Sequence, residues 1–250
     1  MKITILGCGP SYGIPSLTRG FGTCDAKNPK NVRTRTSALI QGAGVNVLID
    51  TSPDVKEQLL KQKSPKINAL VYTHVHYDHC GGAEDLKKMI QDRHEVIDVY
   101  AHKKDIVLLM DKFDYVFKKG NCFKMHAVPM YRPFQIGDLT FTPILQKHGE
   151  IHSVGHRIND VAYTTDVKSF SPKGWKVLSG IKTWILACAT TKENNKHVHL
   201  AEVLKWVDKI NPKKCYLTHM GLHMDYDELV RSLPKKIIPC YDNMKIIDKK

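Results

Sequence analysis

The segment 71-VYTHVHYDHCGG-82 carries four potential metal ligands within six positions, namely His74, His76, Asp78 and His79. It follows the apolar run 67–72, which predicts a buried strand that ends at Thr73. Because side chains alternate along a strand, His74 and His76 lie on one side of its end, and the following turn can bring Asp78 and His79 close to them. Imidazole and carboxylate groups at this density predict a site for divalent metals such as zinc, and their number favours two ions over one.

The order His74-Val75-His76-Tyr77-Asp78-His79 resembles the HxHxDH signature of the metallo-β-lactamase-fold hydrolases. The resemblance implies an α/β fold, a four-layer αββα sandwich with the metal site along one edge between its two sheets. It also implies three further ligands, one His, one Asp and one His, each at the end of a strand. Three later residues occupy matching segments: His148, Asp166 and His219.

Without the resemblance, two of these later residues could serve a different role. His148 could be a surface loop residue, with His152 as a competing ligand, and Asp166 could cap a helix before Ser169. The resemblance is what assigns His148 to the first ion with His74 and His76. It likewise assigns three ligands to the second ion, namely Asp78, His79 and His219. The carboxylate of Asp166 is assigned to a position between the two ions.

Two ions held in this way have a specific chemistry. They lower the pKa of a shared water and stabilise the charge that builds on a phosphoryl or carbonyl oxygen. Partners outside the ligand set orient metal-bound imidazoles, and Asp50 and Thr73 are the candidates here. Asp50 could also simply end a strand in a turn. The nitrogen and oxygen ligands admit zinc or manganese, and also iron.

The composition predicts a globular protein with a positive surface. The chain has 250 residues, 42% of them hydrophobic, and 38 basic against 25 acidic residues give a formal charge of +13. We predict a single domain over residues 1–250, because no linker rich in Pro, Gly or Ser divides it. Residues 2–7 predict a strand rather than a signal peptide, and no apolar run is long enough for a membrane helix. Seven scattered cysteines predict a reducing, cytoplasmic setting without disulfides.

The hydrophobic pattern predicts mixed strands and helices along the chain. The predicted strands are 2–7, 37–42, 45–50, 67–72, 96–100, 124–130, 139–145, 161–165, 183–187, 214–218, 236–240 and 244–247. The predicted helices are 53–61, 82–91, 102–113, 171–180, 199–210 and 225–233. No strand is predicted between residues 146 and 160.

The chain also resembles a narrower branch of these hydrolases, the phosphoribosyl cyclic phosphodiesterases of the phosphonate-degradation type. The likeness includes the loop 7–15, the segments 28–37 and 50–54, and the closing segment 241–244. In that branch a His in a His-Leu segment sits by the leaving group, and His199 matches it. His197 and His199 could instead be surface or helix-start histidines.

Members of the branch often hold a structural zinc through a CxCxxC triplet and a later His. Only Cys24 is present here, and the other three positions hold Arg19, Phe21 and Leu222. A single thiolate cannot hold a tetrahedral zinc, so we predict no structural zinc.

These features predict a dinuclear metal-dependent hydrolase of phosphodiesters, with small cyclic phosphates or nucleotides as substrates. A metal-bridging hydroxide attacks phosphorus, Asp78 helps to hold the ions, and His199 protonates the leaving oxygen. Ser11 and the backbone N–H groups of residues 9–13 contact the substrate. The charge of +13 leaves open a nuclease that acts on RNA or DNA ends, and a metal-binding protein without catalysis is a third hypothesis. No membrane partner is expected, and a homodimer is possible.

Overall fold

Two β-sheets lie face to face, and helices cover their outer surfaces, which is the αββα sandwich predicted from the sequence. The computed structural model describes residues 1–42, 44–119 and 121–247. Its strands are β1 Lys2–Gly7, β2 Ser37–Gly42, β3 Val45–Ile49, β4 Ala69–Val71, β5 Ile97–Ala101, β6 Phe123–Ala127, β7 Phe134–Ile136, β8 Leu139–His148, β9 Ile151–Ile158, β10 Val161–Thr164, β11 Ser169–Phe170, β12 Thr183–Ala187, β13 Lys214–Thr218, β14 Ile237–Pro239 and β15 Met244–Ile247.

The helices connect these strands along the outer faces. They are α1 Val55–Lys61, α2 Tyr77–Cys80, α3 Ala83–Asp92, α4 Lys103–Lys112, α5 Asp114–Phe117, α6 Pro172–Leu178, α7 Leu200–Ile210 and α8 Tyr226–Ser232, with a 3-10 turn at Pro29–Asn31. None of the helices within the described residues combines the length and the apolar character that crossing a bilayer requires. All seven cysteines are buried and unpaired.

The order of strands gives each sheet a run of four parallel strands that extends to one of its edges. The first sheet runs β15-β1-β2-β3-β4-β5-β6, with β3 to β6 parallel to one another. The second runs β11-β8-β9-β10-β12-β13-β14, with β7 paired to β8 and with β10, β12, β13 and β14 parallel. Parallel neighbours end at the same edge of a sheet, so residues that follow these strands collect along one side of the sandwich.

Strand residues of the first sheet divide between two apolar cores. Ile40 and Val47 face the second sheet, whereas Leu39, Leu48 and Leu70 pack against the helices. Both faces are covered, so these strands are apolar throughout rather than alternating. Burial of both faces holds the strand ends, and the side chains that follow them, in fixed positions.

The largest difference from the predicted elements is β9. The sequence predicts no strand over 151–158, because His152, Ser153, His156 and Arg157 interrupt any apolar alternation. In the structure this strand lies between β8 and β10 and pairs with both, which buries most of it. The sequence pattern also does not predict the short elements β7 and α5, and the turn predicted after His76 is the short helix α2.

Candidate metal centre

Strand ends from both sheets deliver the predicted ligands to one place. His74 and His76 follow β4, and Asp78 and His79 lie in α2 directly after them. The second sheet contributes His148 as the last residue of β8, Asp166 after β10 and His219 after β13. The structure therefore brings all seven predicted ligand residues together at the seam between the sheets.

Three imidazoles form the first group. His74 Nε2 lies 3.0 Å from His76 Nδ1, and His148 Nε2 lies 3.3 Å from the same atom. His74 and His148 are buried, whereas His76 is exposed at the wall of a cavity of about 610 Å³. Lys147, Lys196, Asn195 and Glu150 also line this cavity. The group can therefore hold an ion that faces an open space lined by two lysines and one glutamate.

The second group combines imidazoles and carboxylates. His79 Nε2 lies 3.2 Å from Asp78 Oδ2 and 3.1 Å from Asp166 Oδ2. His219 Nε2 lies 3.3 Å from Asp166 Oδ1, and His148 Nε2 of the first group is 3.6 Å from that oxygen. Asp166 thus contacts both groups, which is the position expected of a carboxylate shared between two ions.

Several of these atoms are buried without a hydrogen-bond partner among the described residues. They include His79 Nε2 and both ring nitrogens of His219. Carboxylate oxygens lie 3.1 and 3.2 Å from His79 Nε2 and 3.3 Å from His219 Nε2, but none of these contacts has the geometry of a hydrogen bond. Buried polar atoms without partners are costly. A divalent cation at the common centre would satisfy His79 Nε2 and His219 Nε2, and the donor set of imidazole nitrogen and carboxylate oxygen fits zinc, manganese or iron.

Acid–base equilibria differ between the two groups. Burial lowers the pKa of His74, His76 and His148, so these imidazoles are neutral and their lone pairs are free. Burial also lowers the pKa of His79 and His219, but the negative charges of Asp166 and Asp78 outweigh it and raise both values. Positive charge is therefore favoured in the second group, where a metal ion would replace the protons.

Neighbouring residues fix the ring orientations. His79 Nδ1 donates to Asp50 Oδ2 at 2.7 Å, and Asp50 also accepts from the backbone N–H and the hydroxyl of Thr73 at 2.8 and 2.7 Å. His148 Nδ1 donates to the carbonyl of Lys196 at 3.2 Å. Each bond leaves Nε2 for the centre. The two outer partners expected from the sequence, Asp50 and Thr73, thus contact the ligands.

Comparison with known proteins agrees with this geometry. The family model described as beta-lactamase superfamily domain matches residues 45–220, which is most of the chain. The chain belongs to the metallo-β-lactamase superfamily.

Three known proteins illustrate the likeness. A solved structure described as a new diphosphatase from the PhnP family is 30% identical, with a TM-score of 0.90 over 99% of this chain and 98% of its own. Zinc-bound PqqB from Methylobacterium extorquens is 15% identical, with a TM-score of 0.82 over 99% of this chain and 100% of its own. A relative from Porphyromonas gingivalis (strain ATCC BAA-308 / W83), named octanoyltransferase, is 31% identical over 259 residues, which cover 100% of this chain and 52% of the relative. The chain spans about half the length of that relative, and the name describes the longer protein.

This superfamily member places His197, rather than His199, against the ligands. His197 Nδ1 lies 3.7 Å from Asp166 Oδ1, and its ring stacks on that of His219 with 5.2 Å between the centroids. Burial, followed by the nearby His219, lowers the pKa of His197 to about 3. His199 occupies the position before α7 without a capping bond from its side chain, and its Nδ1 is 3.7 Å from Glu202 Oε2. The sequence favours His199 through its match to the His-Leu segment, and nothing in the spacing of the two histidines distinguishes them.

The loop predicted to contact substrate lies beside His219. Met220 N donates to the carbonyl of Cys8 at 2.9 Å, which holds the loop against this strand end. Ser11 is exposed in the turn that the bond from Gly13 N to Pro10 O closes at 2.9 Å. The N–H groups of Gly9 and Gly13 already bond within the chain and Pro10 has none. Of the predicted backbone donors in residues 9–13, only those of Ser11 and Tyr12 remain candidates.

The loop around Cys24, where the sequence predicts no structural zinc, packs against Leu222. Leu222 is buried at 2% exposure, and its carbonyl accepts from Thr23 N at 3.0 Å and from Cys24 Sγ at 3.5 Å. Arg19 is exposed and its guanidinium lies 5.2 Å from the centroid of the Tyr12 ring. The buried Leu222 side chain and the hydrogen bonds to its carbonyl therefore connect this loop to the segment that follows His219.

Proposed function

We propose that this chain hydrolyses small phosphodiesters, such as cyclic phosphates or nucleotides, at a centre of two divalent ions. The observation that carries the proposal is the convergence of seven ligand residues with buried nitrogens that have no hydrogen-bond partner among the described residues. The full-length similarity to a diphosphatase of the PhnP family supports phosphorus as the reacting atom. Zinc and manganese suit the ligands best, and iron is admitted by the same set.

Each of the two groups of side chains would bind one ion. His74, His76 and His148 would hold one ion, and Asp78, His79 and His219 the other, with Asp166 between them. When bound, such ions lower the pKa of a water molecule and offset the charge that develops on phosphoryl oxygens. Asp50 and Thr73 keep His79 in the tautomer that presents Nε2. The protein contributes a fixed arrangement that does not have to reorganise during the reaction.

A histidine of the segment 197–199 would supply the proton to the leaving oxygen. The sequence favours His199, whereas the contacts of His197 with Asp166 and His219 support His197, because they set its ring against two of the proposed ligands. We therefore propose His197 as the donor, with His199 as the alternative. Because the pKa of His197 is about 3, His197 would act as an acid only after the negative charge of a bound phosphate has raised that pKa. Ser11 and the N–H groups of Ser11 and Tyr12 are proposed to bind the substrate from the loop beside His219.

The proton donor can be identified from its dependence on the leaving group. Nitrophenolate leaves without a proton, whereas the alkoxide of a 2′,3′-cyclic nucleotide requires one. We expect His197→Ala to reduce kcat on the cyclic nucleotide by about 100-fold or more and to affect bis(p-nitrophenyl) phosphate far less. The same selective loss in His199→Ala, with normal behaviour of His197→Ala, would assign the role to His199 instead.

The two-ion centre itself is tested by removing a ligand of the second ion. Asp78→Ala and His79→Ala should bind one ion fewer and lose hydrolysis of bis(p-nitrophenyl) phosphate, whether zinc or manganese is supplied. His126→Ala is the matched control, because His126 pairs with Asp98 on the exposed surface at 2.7 Å. Unchanged turnover in either ligand variant would refute the mechanism. No turnover in the metal-loaded wild type would favour the metal-binding protein without catalysis.

Nuclease activity is the second candidate, and the formal charge of +13 is the observation that favours it. Electrostatic binding to nucleic acid weakens steeply with salt because counterions are released. Gel shifts with single-stranded RNA and DNA at low and high salt would separate the two functions. Salt-dependent binding together with cleavage from an end would support a nuclease, and absence of binding at low salt would remove it.

A further inference from the structure

We propose a third metal site, formed by His102, Asp105 and His152, which lies outside the two groups described above. One nitrogen or oxygen atom of each residue lies within 4.8 Å of the others. Among the described residues, it is the one such cluster that shares no member with the seven-ligand centre. It does not depend on the proposed function, because none of its residues takes part in that reaction.

Two separate elements of the fold bring the three side chains together. His102 follows β5 and caps α4, whose first turn contains Asp105. His152 is the second residue of β9, just past the hairpin that carries His148. Because β5 lies next to β4, His102 leaves the sheet at the same edge as His74. The cluster therefore connects the hairpin of the second sheet to a helix of the first.

The geometry is that of a partly open ligand set. His152 Nε2 lies 3.0 Å from Asp105 Oδ2, and the rings of His102 and His152 are 4.3 Å apart at an interplanar angle of 62°. Asp105 is 3% exposed, whereas both histidines are half-buried. Solvent can reach the imidazole side of the cluster, so an ion can enter and complete its coordination with water.

The alternative is a simple hydrogen bond between His152 and Asp105, and the position of His102 is what argues against it. A hydrogen-bonded pair does not require a second imidazole turned edge to face against it. His102 Nδ1 accepts from Lys104 N, but at 3.4 Å this bond is long, so the ring can change its tautomer at little cost. Burial and the facing His152 also lower the pKa of His102, which keeps its ring neutral.

Two imidazoles and one carboxylate select divalent ions of the zinc, cobalt and nickel class. Calcium and magnesium prefer oxygen ligands and are disfavoured. An ion bound here would link β9 to α4 and so restrain the hairpin that carries His148. The expected consequence is a more stable protein with an additional equivalent of zinc, rather than a new reaction.

The test is a count of bound zinc in the full-length protein. Protein is equilibrated with excess zinc chloride, separated from free metal by gel filtration and analysed by mass spectrometry of the metal. We expect His152→Gln and His102→Asn to bind one equivalent fewer than the wild type. Asparagine preserves a helix-capping side chain at position 102. The difference is informative whatever the occupancy of the main centre.

The matched control is His126→Gln, which removes a histidine from the exposed pair with Asp98. This control should bind as much zinc as the wild type. Addition of the last equivalent should raise the Tm of the wild type and of the control, but not that of His102→Asn. Equal zinc content in the wild type and both cluster variants would overturn the proposal, as would an equal loss in the control. Asp105→Asn, with circular dichroism to verify folding, provides a third variant.

Discussion

Three residues at the centre adopt the left-handed backbone conformation, which residues other than glycine rarely adopt. Asp50, Asp166 and His219 have φ angles of 61°, 50° and 55°. The left-handed region costs roughly 1–2 kcal/mol for such residues. Each one comes at or just after a strand end and directs a carboxylate or an imidazole into the seam. The usual backbone preference of Asp and His is therefore overridden at these positions, because the site needs a carboxylate or an imidazole that glycine cannot provide.

Asp50 is the residue for which a conservative change is most informative. Asp50→Asn keeps the size but replaces an acceptor oxygen with a donor, so it cannot accept from Thr73 N, Thr73 Oγ1 and His79 Nδ1 together. We expect the affinity for the second ion to fall by about 10- to 100-fold, while the first ion is retained. Zinc titration against a competing chelator measures this.

The control for Asp50→Asn is Asp98→Asn, which alters an exposed carboxylate that pairs with His126. Its zinc affinity should equal that of the wild type. An Asp50→Asn protein with wild-type affinity at both positions would show that the contact with His79 does not orient the ligand.

At the scale of elements, β9 has a buried histidine with no role at the centre. His156 is 0% exposed, neither ring nitrogen has a hydrogen-bond partner among the described residues, and its ring lies 6.0 Å from that of Phe141. Burial lowers the pKa of His156 from 6.5 to about 3. The imidazole is therefore neutral in the folded chain and becomes protonated in the unfolded chain below pH 6.5.

This difference predicts an acid-dependent loss of stability. Because the unfolded state binds the extra proton, the free energy of unfolding falls as pH drops from 7 towards 3. At pH 5 the His156 contribution amounts to about 2 kcal/mol relative to pH 8. We expect His156→Leu to reduce the pH dependence of urea unfolding between pH 8 and pH 5 by that amount.

A second variant separates this effect from the other histidines. His126→Leu changes an exposed histidine, so its unfolding should follow the wild-type pH dependence. Titration of the metal ligands affects all three proteins alike and cancels in the comparison. Identical pH dependence of His156→Leu and the wild type would mean that His156 is solvated or protonated in the folded chain.

At the scale of the whole molecule, the centre joins the two sheets. Four ligand residues follow β4 of the first sheet, and three come from strand ends of the second. Bound ions would therefore act as cross-links between the layers, and the removal of metal would leave the carboxylates of Asp78 and Asp166 with only the protons of His79 and His219 to offset them. Stability of the sandwich and occupancy of the site should be coupled.

We accordingly expect a chelator to lower the Tm and zinc or manganese to restore it. An ion present at about 100 times its Kd adds about 2.7 kcal/mol to the free energy of unfolding. Differential scanning calorimetry of the loaded and the chelated protein measures the effect. Asp166→Ala should respond much less to the chelator, because the shared carboxylate is lost. A chelator-insensitive Tm in the loaded wild type would contradict a centre that links the sheets.

Most strands and helices, and the first pair of ligands, can be predicted from the sequence because the patterns that indicate them are local. A period of two places His74 and His76 on one side of a strand end, and apolar runs identify most strands and helices. The later ligands His148, Asp166 and His219 are assigned through resemblance, since spacing alone leaves His152 and a helix cap as alternatives. The structure brings His148 to His74 and His76, brings Asp166 and His219 to His79, and leaves His152 out of these clusters.

Only the tertiary structure decided those features that depend on residues far apart in the sequence. Strand β9 forms because β8 and β10 bury it, although its own residues are too polar to predict a strand. The choice between His197 and His199 rests on a contact with Asp166, and the meeting of His102 with His152 rests on the packing of one sheet against the other. Periodicity describes only a residue's neighbours along the chain. Which surfaces meet is set by the burial of whole layers.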